Sequence, residues 1–153
     1  MTKPDPTTDR TLKLSDLLPS IGEPAGGTGL QTPREFRFQT ESLKRRFKQT
    51  ISLCGKSELQ FCEEKTGMWP TPPECVEFVI HQEDWRIFSV LVEKLEIWSW
   101  GRYQRIRHDG WTWSLELADA DRYVQAGGRN ASPPGFQEFS NIVNRLVDGR
   151  MRA

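Results

Sequence analysis

The sequence predicts an α+β domain in two layers, with a mostly antiparallel sheet and two helices on one face of it. Apolar and polar residues alternate over most of the chain from Arg34 onward, which is the pattern of half-buried strands. In two segments, beginning near Gln82 and near Ser132, the apolar spacing changes to three and four, which is typical of an amphipathic helix. The predicted element order is β-β-β-β-α-β-β-α.

Four strands are predicted before the first helix. Each has large apolar residues at alternate positions, and turn-forming residues such as those in CGKSE and TGMWPTPP separate one strand from the next. Half-buried strands joined in this way are expected to pair antiparallel. Their inward residues are predicted to be Phe36 and Phe38, then Phe47, Ile51 and Leu53, then Leu59 and Phe61, and finally Val76, Phe78 and Ile80.

The first helix is predicted in the segment QEDWRIFSVLVEKLEIW. Glu83 and Asp84 fall in its first turn, where the positive end of the helix dipole favours acidic side chains. Its inward stripe is predicted to be Trp85, Phe88, Leu91, Val92 and Leu95.

Two strands and a second helix are predicted after it. Strict alternation in WTWSLELA places Trp111, Trp113, Leu115 and Leu117 on one face, and the turn ADAD leads to the return strand RYVQA. Two tryptophans followed by two leucines on one face indicate core. The second helix is predicted to have Ser132 as its N-cap and Pro133 at its first position, and to stop at Gly149. Its inward stripe is Phe136, Phe139, Val143 and Leu146.

Residues 1–33 differ in composition and are predicted to be a flexible N-terminal arm, followed by a single domain over residues 34–153. The arm is rich in Pro, Gly, Thr and Asp and has no aromatic residue, so it has little apolar surface to bury. Within it, TLKLSDLLPSIG has leucines at helical spacing. This segment is a weak nascent turn, a patch that docks on the domain's own surface, or a short helix that docks in a partner's groove.

Charge and composition exclude several functional classes. Lys plus Arg and Asp plus Glu are both 21, so a general nucleic-acid coat or a membrane-surface protein is not expected. No apolar window is long enough for a membrane span, and the first residues lack the apolar run of a signal peptide. A cytoplasmic location is predicted.

Three cysteines, Cys54, Cys62 and Cys75, show no short paired spacing, and only His81 and His108 accompany them. A structural zinc site is therefore not expected, and reduced cysteines are predicted. No metal and no cofactor are predicted.

The segment that follows the first helix mixes aromatic and basic residues. Its members are Trp98, Trp100, Arg102, Tyr103, Arg105 and Arg107. Aromatic rings between arginines could stack on bases and neutralise phosphates. Alternatively, the helix runs on or is followed by an edge strand, the rings pack against the helix end and the arginine stems cover the surface.

The segment GGRN is a second candidate loop, with Arg129 and Asn130 as its binding residues. Asn130 is also expected to tie this loop together through hydrogen bonds from its side chain to the backbone. Because loops on a rigid scaffold often carry function, these two segments are the predicted binding region.

The C-terminal motifs resemble those of a widespread group of small bacterial proteins. That group runs D-G-x-x-W, then a hairpin, then G-x-N-x-x-P-x-x-F-x-x-F and a last helix. The matching residues are Asp109, Gly110, Trp113, Gly128, Asn130, Pro133, Phe136 and Phe139. The resemblance covers roughly residues 47–147. It implies the fold described above and, because the group has no assigned activity, implies no mechanism.

No catalytic motif is recognisable: there is no G-x-S-x-G, no phosphate-binding glycine loop and no H-E-x-x-H. Cys75 with His81 as its base is a weak nucleophile hypothesis. We therefore expect a bacterial accessory protein that is not an enzyme and that binds another protein, for example a toxin-neutralising or mobile-element-borne factor. The alternatives are single-stranded nucleic-acid binding through residues 98–107, a small-ligand protein or enzyme with an unrecognised site, and a homodimer formed through an exposed sheet edge.

Overall fold

The computed structural model describes residues 32–105 and 110–151. Residues 1–31 of the predicted arm lie outside this part of the chain, as does Arg107. The elements in chain order are β1 (Glu35–Ser42), β2 (Phe47–Cys54), β3 (Glu58–Lys65), β4 (Glu74–Val79), α1 (Gln82–Lys94), a 3-10 turn (Ile97–Ser99), β5 (Arg102–Gln104), β6 (Trp111–Ala118), β7 (Tyr123–Arg129) and α2 (Phe136–Leu146).

Seven strands form one sheet in the order β4-β3-β2-β1-β6-β7-β5. Every neighbouring pair is antiparallel except β5 and β7, which are parallel. The predicted α+β fold is confirmed, and β5 is a short strand in addition to the predicted six. It matches the alternative in which an edge strand follows the first helix. Strands β4 and β5 are the two edges of the sheet.

Both helices pack on the same face of the sheet, which we call the helix face. The Phe36 ring on β1 lies 5.5 Å from the Phe88 ring of α1 and 6.5 Å from the Phe139 ring of α2. The predicted inward stripes of the two helices are buried, and only Leu95 is half-buried. Because strand side chains alternate, the opposite face is open, and it is mostly polar. None of the helices in the described part has the length and apolar character needed to cross a membrane.

The start of α2 differs from the prediction. The helix begins at Phe136, and neither Ser132 as N-cap nor Pro133 as first helical residue is correct. A proline disfavours helical geometry in the residue before it, so the Pro133–Pro134 pair delays the helix. Gly135, at φ 85°, then turns the chain into α2 in a conformation that glycine adopts at little cost.

The prediction of reduced cysteines is wrong for two of the three. Cys62 on β3 and Cys75 on β4 lie directly opposite each other on the open face and form a disulfide. The bond excludes Cys75 as a nucleophile paired with His81. A separation of 13 residues is not a recognisable short motif, and only the strand register brings the two together. Cys54 is free, and burial together with Glu77 and Glu58 raises the pKa of its thiol.

Candidate functional site

The aromatic residues predicted to bind a ligand pack against the protein itself. Trp100 is only 6 % exposed, and its ring lies 5.8 Å from that of Trp113. The Tyr103 ring stacks on Trp113 at 6.3 Å. Trp98 is half-buried, with the Arg122 guanidinium 4.4 Å above its ring. Truncating Trp100 would therefore leave a cavity in the core. A loss of binding in such a variant would not show that Trp100 contacts a ligand.

The arginines of the same region do form a surface. On the open face, a groove of about 450 Å³ lies across β6, β7 and β5, with Arg102 and Arg129 in its wall. Two cross-strand rows of residues build it. The first row is Gln39, Ser114, Gly127 and Arg102, and the second is Thr112, Arg129 and Gln104, which Glu41 continues on β1 without lining the groove.

A glycine keeps the groove open. Gly127 lies between Ser114 and Arg102 in the first row, where any other residue would project a side chain into the open face. A Cβ at this position would lie 3.1 Å from the backbone oxygen of Trp113 and 3.4 Å from Nη1 of Arg102. The Arg102 guanidinium therefore lies over the glycine, and Gly127 is the floor of the groove.

The groove carries uncompensated positive charge among the described residues. Within residues 32–105 and 110–151, neither Arg102 nor Arg129 has an ion pair or a side-chain hydrogen bond. No Asp or Glu is among the described lining residues. Glu41 is in the second row but lies on β1, two strands away from Arg129.

Asn130 positions this region, as the sequence predicts. It is buried, its Oδ1 accepts a hydrogen bond from the Trp111 backbone N–H at 3.0 Å, and its Nδ2 donates to the Arg105 carbonyl at 3.2 Å. These bonds join the end of β5 to the start of β6 and the end of β7. Asn130 therefore acts by fixing the backbone next to Arg129, and the Arg105 side chain is exposed outside the groove.

A second candidate surface is the free edge of β4. The Cα atoms of Cys62 and Cys75 are 4.1 Å apart, which is the short spacing of a pair without mutual backbone hydrogen bonds. The N–H and C=O groups of Cys75, and of Glu77 and Val79 at the next alternate positions, therefore point away from β3. Within residues 32–105 and 110–151, no backbone group outside the sheet donates to or accepts from them.

Large apolar side chains are exposed at both ends of this edge. Met68 and Trp69, in the loop before β4, are 78 % and 83 % exposed, and Val79 at the end of β4 is 75 % exposed. The loop is held at its base, where the Lys65 N–H donates to Oγ1 of Thr71 at 3.1 Å. The sequence prediction assigns this segment only a turn. The sequence does contain a signal for an exposed apolar surface here. Met68 and Trp69 are two large apolar residues in a turn rich in Gly and Pro, and a turn has no core in which to bury them.

No arrangement of three or more His, Cys, Asp or Glu side chains that could hold a metal occurs in the residues described. No protein-family model matches the chain. No curated protein matches it either. The resemblance to the group of small bacterial proteins therefore stays a prediction.

Proposed function

We propose that this protein binds another protein by adding an extended segment of that partner to the edge of β4. The observation that carries the proposal is the row of outward backbone groups at Cys75, Glu77 and Val79. An extended peptide that pairs with such an edge gains main-chain hydrogen bonds, and pockets for alternate side chains give it specificity. Met is enriched at protein interfaces, and Trp is enriched at the contacts that dominate their binding energy.

Charge supports a basic partner segment. Strand β4 contains Glu74 and Glu77 and no basic residue, and Glu58 lies opposite Val79 on the neighbouring strand. Glu77 is at the centre of the free edge and on the open face. A partner strand with Lys or Arg facing Glu77 gains a cross-strand ion pair. Apolar residues at its two ends would cover Val79 and Trp69.

A second copy of this chain is a poorer occupant of the edge. In a two-fold pairing centred on β4, Glu77 of one copy faces Glu77 of the other, and directly opposed like charges destabilise a strand pair. Light scattering of the purified protein tests this alternative. A stable dimer that Glu77→Pro abolishes, because the outward N–H of the edge is lost, would replace the proposed partner with a second copy.

The proposal is tested by a photo-crosslinking amino acid placed at Val79 in the full chain, with Tyr123 as the matched control position. Tyr123 is also exposed, at 56 %, but it lies on β7. We expect the Val79 probe to capture one discrete protein in a nuclease-treated lysate, through a peptide that contains Lys or Arg. The identity of that protein would also test the accessory role, toxin-neutralising or mobile-element-borne.

Two variants separate strand addition from chance proximity. Glu77→Pro removes an outward N–H, and proline is tolerated on an edge strand when its nitrogen faces solvent. Glu77→Lys reverses the charge. We expect both to abolish the Val79 crosslink while the circular dichroism spectrum and melting temperature stay near those of the wild type. Undiminished capture by a folded Glu77→Pro variant would exclude strand addition.

The compartment is a further part of this proposal. The sequence predicts the cytoplasm, whereas a disulfide such as Cys62–Cys75 is more typical of oxidising compartments. Thiol labelling of the protein taken directly from its own cells distinguishes the two. Only Cys54 reacts if the bond is present in the cell, and all three cysteines react if it is not.

A further inference from the structure

We propose that the groove between Arg102 and Arg129 binds the carboxylate or phosphate group of a small anionic ligand. The groove lies beside β5, at the opposite end of the sheet from β4. The inference is therefore independent of strand addition, and either proposal can fail without the other.

The two arginines supply the charge for such a ligand. A guanidinium presents its N–H groups in a planar fork that matches the oxygens of a carboxylate or phosphate. Arg102 lies over Gly127, and Arg129 follows in the next cross-strand row. Neither has an anionic partner in the described parts of the chain, so an oxyanion between them would displace no internal ion pair.

Neutral donors complete the site. Oε1 of Gln39 already accepts bonds from Arg37 and Thr50, at 3.3 and 3.4 Å, so its amide NH₂ is the group left to donate. The hydroxyls of Thr112 and Ser114 line the same groove and donate as readily as they accept. The lining therefore offers donors of two kinds, charged and neutral, and no carboxylate.

Size and shape favour a small molecule over a nucleic acid. The volume of about 450 Å³ falls within the range of roughly 300–1,000 Å³ that is usual for small-ligand sites. Sequence-independent binding of single strands needs aromatic rings on which bases stack. Here the Tyr103 and Trp113 rings stack on each other instead, at 6.3 Å.

The test is a titration of the full chain with sodium phosphate, and separately with sodium succinate, at an ionic strength held constant with sodium chloride. Binding is followed by amide chemical shifts and by melting temperature. We compare wild type, the double variant Arg102→Gln/Arg129→Gln, the two single variants, and Arg34→Gln, which like each single variant removes one exposed charge but lies outside the groove. A short oligothymidylate is titrated in parallel.

We expect a saturable response to at least one anion, with shifts centred on residues 102–104, 112–114 and 127–129. The double variant should bind roughly tenfold more weakly or worse, because charge-assisted hydrogen bonds are the strong ones. Arg34→Gln should bind like the wild type, and preference for phosphate or for succinate identifies the oxyanion. Equal responses in wild type and double variant, or no saturation, overturn the proposal. Oligothymidylate binding that depends on both arginines, without binding of either small anion, overturns it in favour of a nucleic-acid site.

Discussion

Trp113 on β6 and Gly128 on β7 lie directly opposite each other, and the indole fills the space that a side chain at position 128 would need. Nε1 of Trp113 donates to the carbonyl of Ala131 at 2.8 Å. A Cβ at Gly128 would collide with that indole nitrogen and with that carbonyl oxygen. The missing side chain is therefore what allows the loop after β7 to close onto the sheet.

Adjacent glycines should respond very differently to alanine. Gly128→Ala overpacks a site bounded by backbone, so we expect it to lower the free energy of unfolding by about 3 kcal/mol. At Gly127 the nearest contact is also a backbone atom, the Trp113 oxygen, but at 3.1 Å a shift of a few tenths of an ångström relieves it, so Gly127→Ala should cost less than about 1 kcal/mol. Urea unfolding of both variants is the measurement. Equal losses would contradict the assignment of Gly128 to the helix face.

Asn130 should be a stability residue. Asn130→Ala leaves the Trp111 N–H and the Arg105 carbonyl without their partners and puts alanine at φ 57°. Together these effects should lower the free energy of unfolding by about 2–4 kcal/mol. Asn141→Ala, at an exposed position of α2, should change it by less than about 0.5 kcal/mol. Equal melting temperatures for the two variants would mean that the Asn130 bonds contribute nothing.

The disulfide should stabilise the pairing of β4 with β3. Cys75→Ser opens the covalent loop between Cys62 and Cys75, which are 13 residues apart, and chain entropy accounts for about 3 kcal/mol for a loop of this size. We expect the variant to melt well below the wild type and to be insensitive to dithiothreitol, which should destabilise only the wild type. Cys54→Ser, which removes the free thiol, is the control and should still respond to reductant. A wild type that melts identically with and without reductant would contradict this role.

Stability should fall at acidic pH partly through Asp119. Burial raises the pKa of this carboxyl, but hydrogen bonds from the Asp121 and Arg122 backbones and the Arg122 guanidinium outweigh burial, and the net shift is downward. A carboxyl whose pKa is lower in the folded than in the unfolded state stabilises the native state at any pH above its unfolded pKa of about 3.9. This stabilisation is lost as the pH falls through the folded pKa. Unfolding curves from pH about 2 to 6 should show a shallower acid decline for Asp119→Asn. An unchanged decline would mean that other carboxyls cause it.

The fold was predictable because its signals are local. Alternation marks the long strands, spacings of three and four mark both helices, and Gly149, at φ 75°, lies just after α2 as a helix stop should. The short strand β5 carries no such signal. It has three residues, and its parallel pairing with β7 depends on contacts that are made only in the folded sheet.

The candidate site was predictable only in part. Arg102 and Arg129 stand out by residue type, but their meeting across Gly127 depends on the register of three strands. Trp98 and Trp100 alternate like a stacking platform, yet the 3-10 turn directs Trp100 into the core. Whether such a residue lies on the surface or in the core is decided by tertiary packing, which hydrophobic periodicity and composition do not reveal.

The position of β1 has a consequence for how the chain folds during synthesis. This strand is in the middle of the sheet, and its two neighbours, β2 and β6, come from early and late parts of the described chain. Strands β1 to β4 can pair as soon as they leave the ribosome, but the second edge of β1 stays open until β6 follows. Phe36 can pack on Phe88 once α1 has followed, but the rings that cover Phe38 belong to α2, which comes later than β6. During synthesis the half-sheet therefore presents an unpaired strand edge together with an uncovered aromatic ring, the two features that make partly folded chains prone to aggregation.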